Sequence, residues 1–169
     1  VTKQSLNRVL RTLIEDGLLY YRGKPALALA RTEPLERVAC LLWGCEPFEA
    51  FGGAAPSMPT GWREQARRLG SLPDPQRLLA LFTLLQAHQF APLARGNQGR
   101  VPAACGALLR LMTATVTGRP AAEAPVHQQL AAHWQLGDTG SQRLREALVL
   151  CADHELNASS FTVRCVAST

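Results

Sequence analysis

From Pro34 onward the apolar residues recur at helical spacing. Leu35, Val38, Leu41 and Leu42 form a stripe ending at Trp43. Pro34 is a good first helical residue after Thr32 or Glu33, and Gly44 supplies the stop. Residues Gly52 to Gly61 read as a loop, because glycine, proline and serine dominate them. Trp62 to Leu69 predicts a short helix ended by Gly70. Asp74 followed by Pro75 opens another, passing through Leu78, Leu79, Phe82 and Leu85 to about Phe90. Ala94 to Gly99 is a polar loop flanked by Arg95 and Arg100. Pro102 to Val116 is apolar nearly all round apart from Arg110, which predicts a helix either deeply buried or packed against another subunit. Pro125 to Trp134 is amphipathic and stops near Gly137. The last helix opens at Asp138 or Ser141 and runs towards Glu155.

The front of the chain supports two readings. Leu6, Val9, Leu10, Leu13 and Ile14 follow helical spacing, whereas Asp16-Gly17 between Thr12–Ile14 and Leu18–Arg22 is a hairpin signal. The two overlap at residues 12 to 14 and both cannot hold there. A helix from Thr2 to Ile14 with a basic wing at Tyr20 to Lys24 would make a winged helix-turn-helix. That module needs preceding helices to build its core, and only one residue precedes this one. The fold class expected is all-α with a small β-hairpin near the N-terminus.

Composition narrows the class. A hydrophobic content of 47% over 169 residues is enough for one domain with a core. No apolar run reaches the roughly eighteen residues of a membrane span, and no basic-then-apolar signal segment opens the chain. The net charge of +5 rests on sixteen Arg and two Lys, scattered from Arg8 to Arg164. Such scatter fits solvated helix faces, so nucleic acid is not an expected partner. Cys40, Cys45, Cys105, Cys151 and Cys165 are odd in number and lie at mostly apolar helical positions. They read as buried thiols in a reducing compartment, so the cytoplasm is the expected location. The chain starts on Val1 and stops at Thr169 in mid-pattern, and reads as a piece of a longer protein.

Candidate chemistry gathers at the end. On a helix approaching residue 155, His154 would share the apolar face of Leu150 and Cys151, with Asp153 and Glu155 to either side. Asn157, Ser159 and Ser160 offer acceptors to cap a following helix, Phe161 to Val166. A histidine at such a junction, beside unpaired backbone N–H groups and with Arg164 about one turn in, suits an anionic ligand. The bland alternative is a histidine at a helix C-terminus satisfied by its neighbours. Zinc is not expected, since Cys151 and His154 lack further ligands. Nor is a thiol nucleophile, with Cys151 on a core stripe. His88, His127 and His133 have no convergent partners in the sequence.

Two motifs resemble the citrate synthase family, in that family's order. Gly17-Leu-Leu-Tyr-Tyr-Arg-Gly23, then Leu29-Ala30, then Leu35-Glu-Arg-Val-Ala-Cys-Leu-Leu-Trp-Gly44 resemble its hairpin and first helices. Leu150-Cys-Ala-Asp-His-Glu-Leu-Asn-Ala-Ser-Ser160 resembles its L-x-A-D-H-E-x-N-A-S-T segment. Residues 45 to 138 match only as a helical stretch. The resemblance implies a partial citrate synthase-like large domain, with residues 1–33 as a hairpin or arm region and 34–169 as helical core. It implies an acyltransferase of the tricarboxylic acid cycle that condenses acetyl-CoA with oxaloacetate. Acyl-CoA is then a substrate rather than a cofactor, and the protein a homodimer. His154 would bind oxaloacetate, with Asn157 in the same segment. The proton-abstracting aspartate and two catalytic histidines belong to G-P-x-H-G and G-x-G-H-R motifs that these residues do not contain, so no catalytic residue is assigned and this chain alone is expected to be inactive. Cys151, where many relatives carry histidine, and Lys24-Pro25-Ala26 mark a divergent branch. Two alternatives stay open: a 2-methylcitrate synthase using propionyl-CoA, and a non-catalytic dimerising or regulatory module.

Overall fold

A computed structural model describes residues 12–15, 17–89 and 101–152. The chain enters on a three-stranded antiparallel sheet, β1 (Thr12–Glu15), β2 (Leu18–Tyr21) and β3 (Lys24–Pro25), in the order β1-β2-β3. Thr12 pairs with Tyr21 and Glu15 with Leu18, so the β1–β2 turn spans two residues, with Gly17 at φ +75°. That register settles the conflict at residues 12 to 14. They are strand, because β-branched Thr12 and Ile14 alternate along a pleat opposite Tyr21 and Leu19. A recognition helix running to Ile14 is thereby corrected; its earlier part lies outside the described residues.

Everything after the sheet, among the described residues, is helical or loop. The helices are α1 (Ala26–Thr32), α2 (Leu35–Trp43), α3 (Pro47–Phe51), α4 (Trp62–Arg68), α5 (Asp74–Gln89), α6 (Val101–Thr117), α7 (Val126–His133) and α8 (Asp138–Leu150). A 3₁₀ turn, Leu69–Ser71, follows α4. The all-α class with a small hairpin therefore holds. None of these helices is long and apolar enough to cross a membrane.

Two cores organise the packing. The first joins Tyr21, Ala26, Ala30, Val38, Leu42 and Val149, from the sheet, α1, α2 and α8. Ala26 and Ala30 are one helical turn apart and fully buried. Their short side chains give α1 a flat face on which α8 packs closely. Arg145 of α8 then donates from Nε to Ala30 O (3.3 Å) and from Nη2 to Arg31 O (2.6 Å), serving the carbonyls at the end of α1. The second core joins Trp62, Leu81, Leu85, Leu111 and Ala114, from α4, α5 and α6. Trp62 Nε1 donates to Arg119 O at 3.2 Å, tying α4 to the chain just beyond α6.

Helix α6 crosses α3 at Gly106, where a Cβ would overlap the Ala50 carbonyl oxygen. One turn on, Arg110 is 8% exposed. Its guanidinium donates to Gly53 O (2.8 Å) and Phe51 O (2.9 Å), and lies 5.6 Å from the centroid of the Phe51 ring. The charge in an otherwise apolar helix is there to satisfy the end of α3, a helix that the periodicity of the sequence leaves out.

Helix α8 stops at Leu150 and not near Glu155. Cys151 leaves helical geometry with φ −96° and ψ 10°, and Ala152 N donates back to Val149 O at 3.1 Å. The run towards Glu155 is corrected accordingly, and the expected placement of His154 on its apolar face lies outside the described residues. Cys151, expected on a core stripe, is exposed. Cys40 is buried as expected, while Cys45 and Cys105 are half-buried. Burial, and then contact with Cys45, pushes the Cys40 thiol up to about 12, so it sits in the core as a neutral thiol.

Candidate functional site

The turn Tyr21-Arg22-Gly23-Lys24 connects β2 to β3, with Tyr21 paired to Lys24. Both central residues have positive φ, 46° at Arg22 and 78° at Gly23. This is the twist-matched two-residue hairpin turn, and glycine at its second central position lowers the cost of the left-handed backbone. The turn aims two side chains at two helix ends.

Tyr21 is completely buried, and its hydroxyl lies 3.0 Å from Val149 O and 2.9 Å from Leu150 O. In a continuing helix those carbonyls would accept from residues 153 and 154. The Tyr21 proton, shared between them, takes that place and fixes where α8 ends. Arg22 donates from Nη2 (3.2 Å) and Nε (3.4 Å) to Leu42 O, near the end of α2. Gly44 closes α2 at φ +75°, and a Cβ there would stand 3.2 Å from Arg22 Nη2. Thus Tyr-Arg-Gly, Leu-Leu-Trp-Gly and the residues leading into Ala-Asp-His-Glu meet at one point. They are far apart in sequence and joined by side-chain donors to helix-terminal carbonyls.

His154 and Asn157 lie outside the described residues, as do Asp153, Glu155, Ser159, Ser160, Arg164 and Cys165. What the structure supplies is the platform immediately before them. Val149 is fully buried, and Leu150 and Ala152 pack against the first core, so the chain leaves the core at a fixed place. Tyr21 and Arg22, which hold the helix ends beneath this segment, are the residues that periodicity alone misses. Their signal is the Tyr-Arg-Gly motif itself, which has no helical or alternating pattern to explain it.

A half-buried carboxylate lies at the start of α7. Glu36 of α2 accepts from Val126 N at 2.7 Å through Oε1, a carboxylate placed on the positive end of α7. Its Oε2 is buried without a hydrogen-bond partner, and so is Nδ1 of His127, which is 8% exposed. Burial lowers the His127 pKa; Glu36 works against that shift and Arg145 adds to it. His127 therefore has charged neighbours on α2 and α8 that its sequence context does not reveal. Among the described residues no group of three or more His, Cys, Asp or Glu side chains gathers as a metal site.

With this geometry in view, comparison with known proteins gives one result. A family model described as citrate synthase, C-terminal domain, matches residues 7–169. It thus spans the hairpin, all the helices described above and the terminal segment. No curated protein and no solved structure gives a match.

Proposed function

The chain belongs to the citrate synthase family, and from that premise we propose that it forms part of an acyltransferase condensing acetyl-CoA with oxaloacetate. In this reading the chain is the front, large-domain portion of the enzyme and contributes half of the oxaloacetate site and a dimer surface. His154 and Asn157 hold oxaloacetate. Tyr21 and Arg22 are positioning residues that fix the end of α8 and hence the start of the segment carrying both.

The observation that carries the reading is the Tyr21 hydroxyl on the carbonyls of Val149 and Leu150. It links the two motifs that resemble the family, and places the link four residues before His154. A histidine that must meet a small dianion needs its backbone held, because small displacements of a binding group are costly in rate. Condensation also needs a base to take a proton from the acetyl methyl group. The family's motifs for that base are not among these 169 residues, so no turnover is expected of the chain by itself.

The test is release of CoA thiol from acetyl-CoA and oxaloacetate, followed with a thiol reagent. The expected result is turnover by the full-length gene product and none by the isolated 169 residues. Turnover by the isolated residues, or none by the full-length product with either acetyl-CoA or propionyl-CoA, contradicts the reading. The second outcome would favour a non-catalytic module. Faster release from propionyl-CoA would reassign the product to 2-methylcitrate.

A further inference from the structure

Between α4, α5 and the end of α6 lies a cavity of about 250 Å³. Its charged lining consists of Arg63 and Arg67 from α4 and Arg77 from α5, and no carboxylate lines it. Leu81 forms an apolar wall, and Gly118, just past α6, lies at the rim. A second cavity, of about 290 Å³, has a lining of mixed charge. There Lys24 and Arg37 are balanced by Glu33 and Glu46.

The acids nearest in sequence are engaged at exposed edges. Glu64 accepts from Arg67 through both Nε (3.0 Å) and Nη2 (2.8 Å) and from Arg68 Nε (2.8 Å), and these two arginines hold its carboxyl below the usual range. Asp74 meets Arg77 Nη2 at 2.9 Å and is itself mostly solvent-facing. That contact leaves the rest of the Arg77 fork available. The Arg77 side chain is 22% exposed, and its Nε is buried without a hydrogen-bond partner. An unanswered buried donor is destabilising, the more so when it is charged. Arg67 and Arg77 each keep one carboxylate at an exposed edge, so the positive charge left unanswered at the cavity is that of Arg63 and of the buried Arg77 Nε. That cost falls if an anion occupies the cavity.

We propose that this cavity is a binding site for a phosphoryl group, carried by inorganic phosphate or a small phosphorylated metabolite. Guanidinium forks pair bidentately with phosphate oxygens. A tetrahedral dianion offers oxygens in several directions, to Arg63, to the inner edge of Arg77 and to the Arg67 nitrogen that Glu64 leaves, whereas one carboxylate offers two oxygens in one plane. The volume lies just below the roughly 300–1,000 Å³ of drug-sized ligand pockets, which favours a small occupant over a dinucleotide. The site rests on the second core, while the terminal segment leaves from the first. It therefore stands or falls independently of the synthase reading.

Calorimetric titration of the intact protein with inorganic phosphate at physiological salt tests this, with malonate as the dicarboxylate comparison. One phosphate should bind per chain, and Arg77→Gln should weaken it at least about tenfold, or 1.4 kcal/mol. Arg63→Gln should weaken it severalfold, and Arg37→Gln, outside the cavity, should leave it unchanged. Arg63 is exposed, so its variant reports even if Arg77→Gln fails to fold. Absence of saturable phosphate binding, or binding that Arg63→Gln leaves intact or that all three variants weaken alike, would overturn the site. Malonate binding as tightly as phosphate would overturn the phosphoryl assignment.

Discussion

Tyr21 shows how one side chain sets a boundary that local pattern does not. Its hydroxyl answers two carbonyls 128 and 129 residues away, at the end of α8. Tyr21→Phe keeps the ring in the core but leaves those carbonyls without it. The expected cost is about 0.5–1.5 kcal/mol in urea denaturation, the net worth of a lost hydrogen bond, because Val149 O still accepts from Ala152 N. In the full-length protein the same change should raise the oxaloacetate KM more than the acetyl-CoA KM. His127 supports a prediction in pH. Its pKa is lowered in the folded protein, so between the folded value and the ordinary value of about 6.5 the unfolded chain binds more protons. Stability is then fully present above about pH 6.5 and falls as pH drops through the folded pKa. His127→Gln should flatten the pH dependence of Tm over that window. An unchanged slope would mean that another group titrates there.

At the scale of elements, the close crossing of α3 and α6 is the least forgiving contact. Gly106→Ala puts a methyl group into the Ala50 carbonyl, and backbone cannot rotate aside as a side chain can. The expected destabilisation is about 1–3 kcal/mol, as for other overpacked contacts, read as a lowered denaturation midpoint. Gly70→Ala, where an added Cβ meets nothing within 4 Å, is the control. Legibility also divides at this scale. Helices α2 and α5 could be read directly, because Gly44 and Asp74-Pro75 are local signals placed where the structure uses them. Helix α3 could not, since five residues are too few to show a period. Helix α1 could not either, because Ala26 and Ala30 look unremarkable until α8 lies on them. The end of α8 is not legible because the Tyr21 hydroxyl that meets its last carbonyls comes from the distant hairpin. For the candidate site, the residue types and their order were legible, but not the support from Tyr21, Arg22 and the first core.

At the scale of the molecule, the two cores separate two tasks. The core of sheet, α1, α2 and α8 holds the point from which the terminal segment departs, and the core of α4, α5 and α6 carries the arginine-lined cavity. Membership of the citrate synthase family gives the first task its chemistry. The most direct test is steady-state kinetics of the full-length protein with His154→Ala. The oxaloacetate KM should rise at least about tenfold, a loss of some 1.4 kcal/mol of binding, while the acetyl-CoA KM changes little. An oxaloacetate KM unchanged by that substitution would contradict the account.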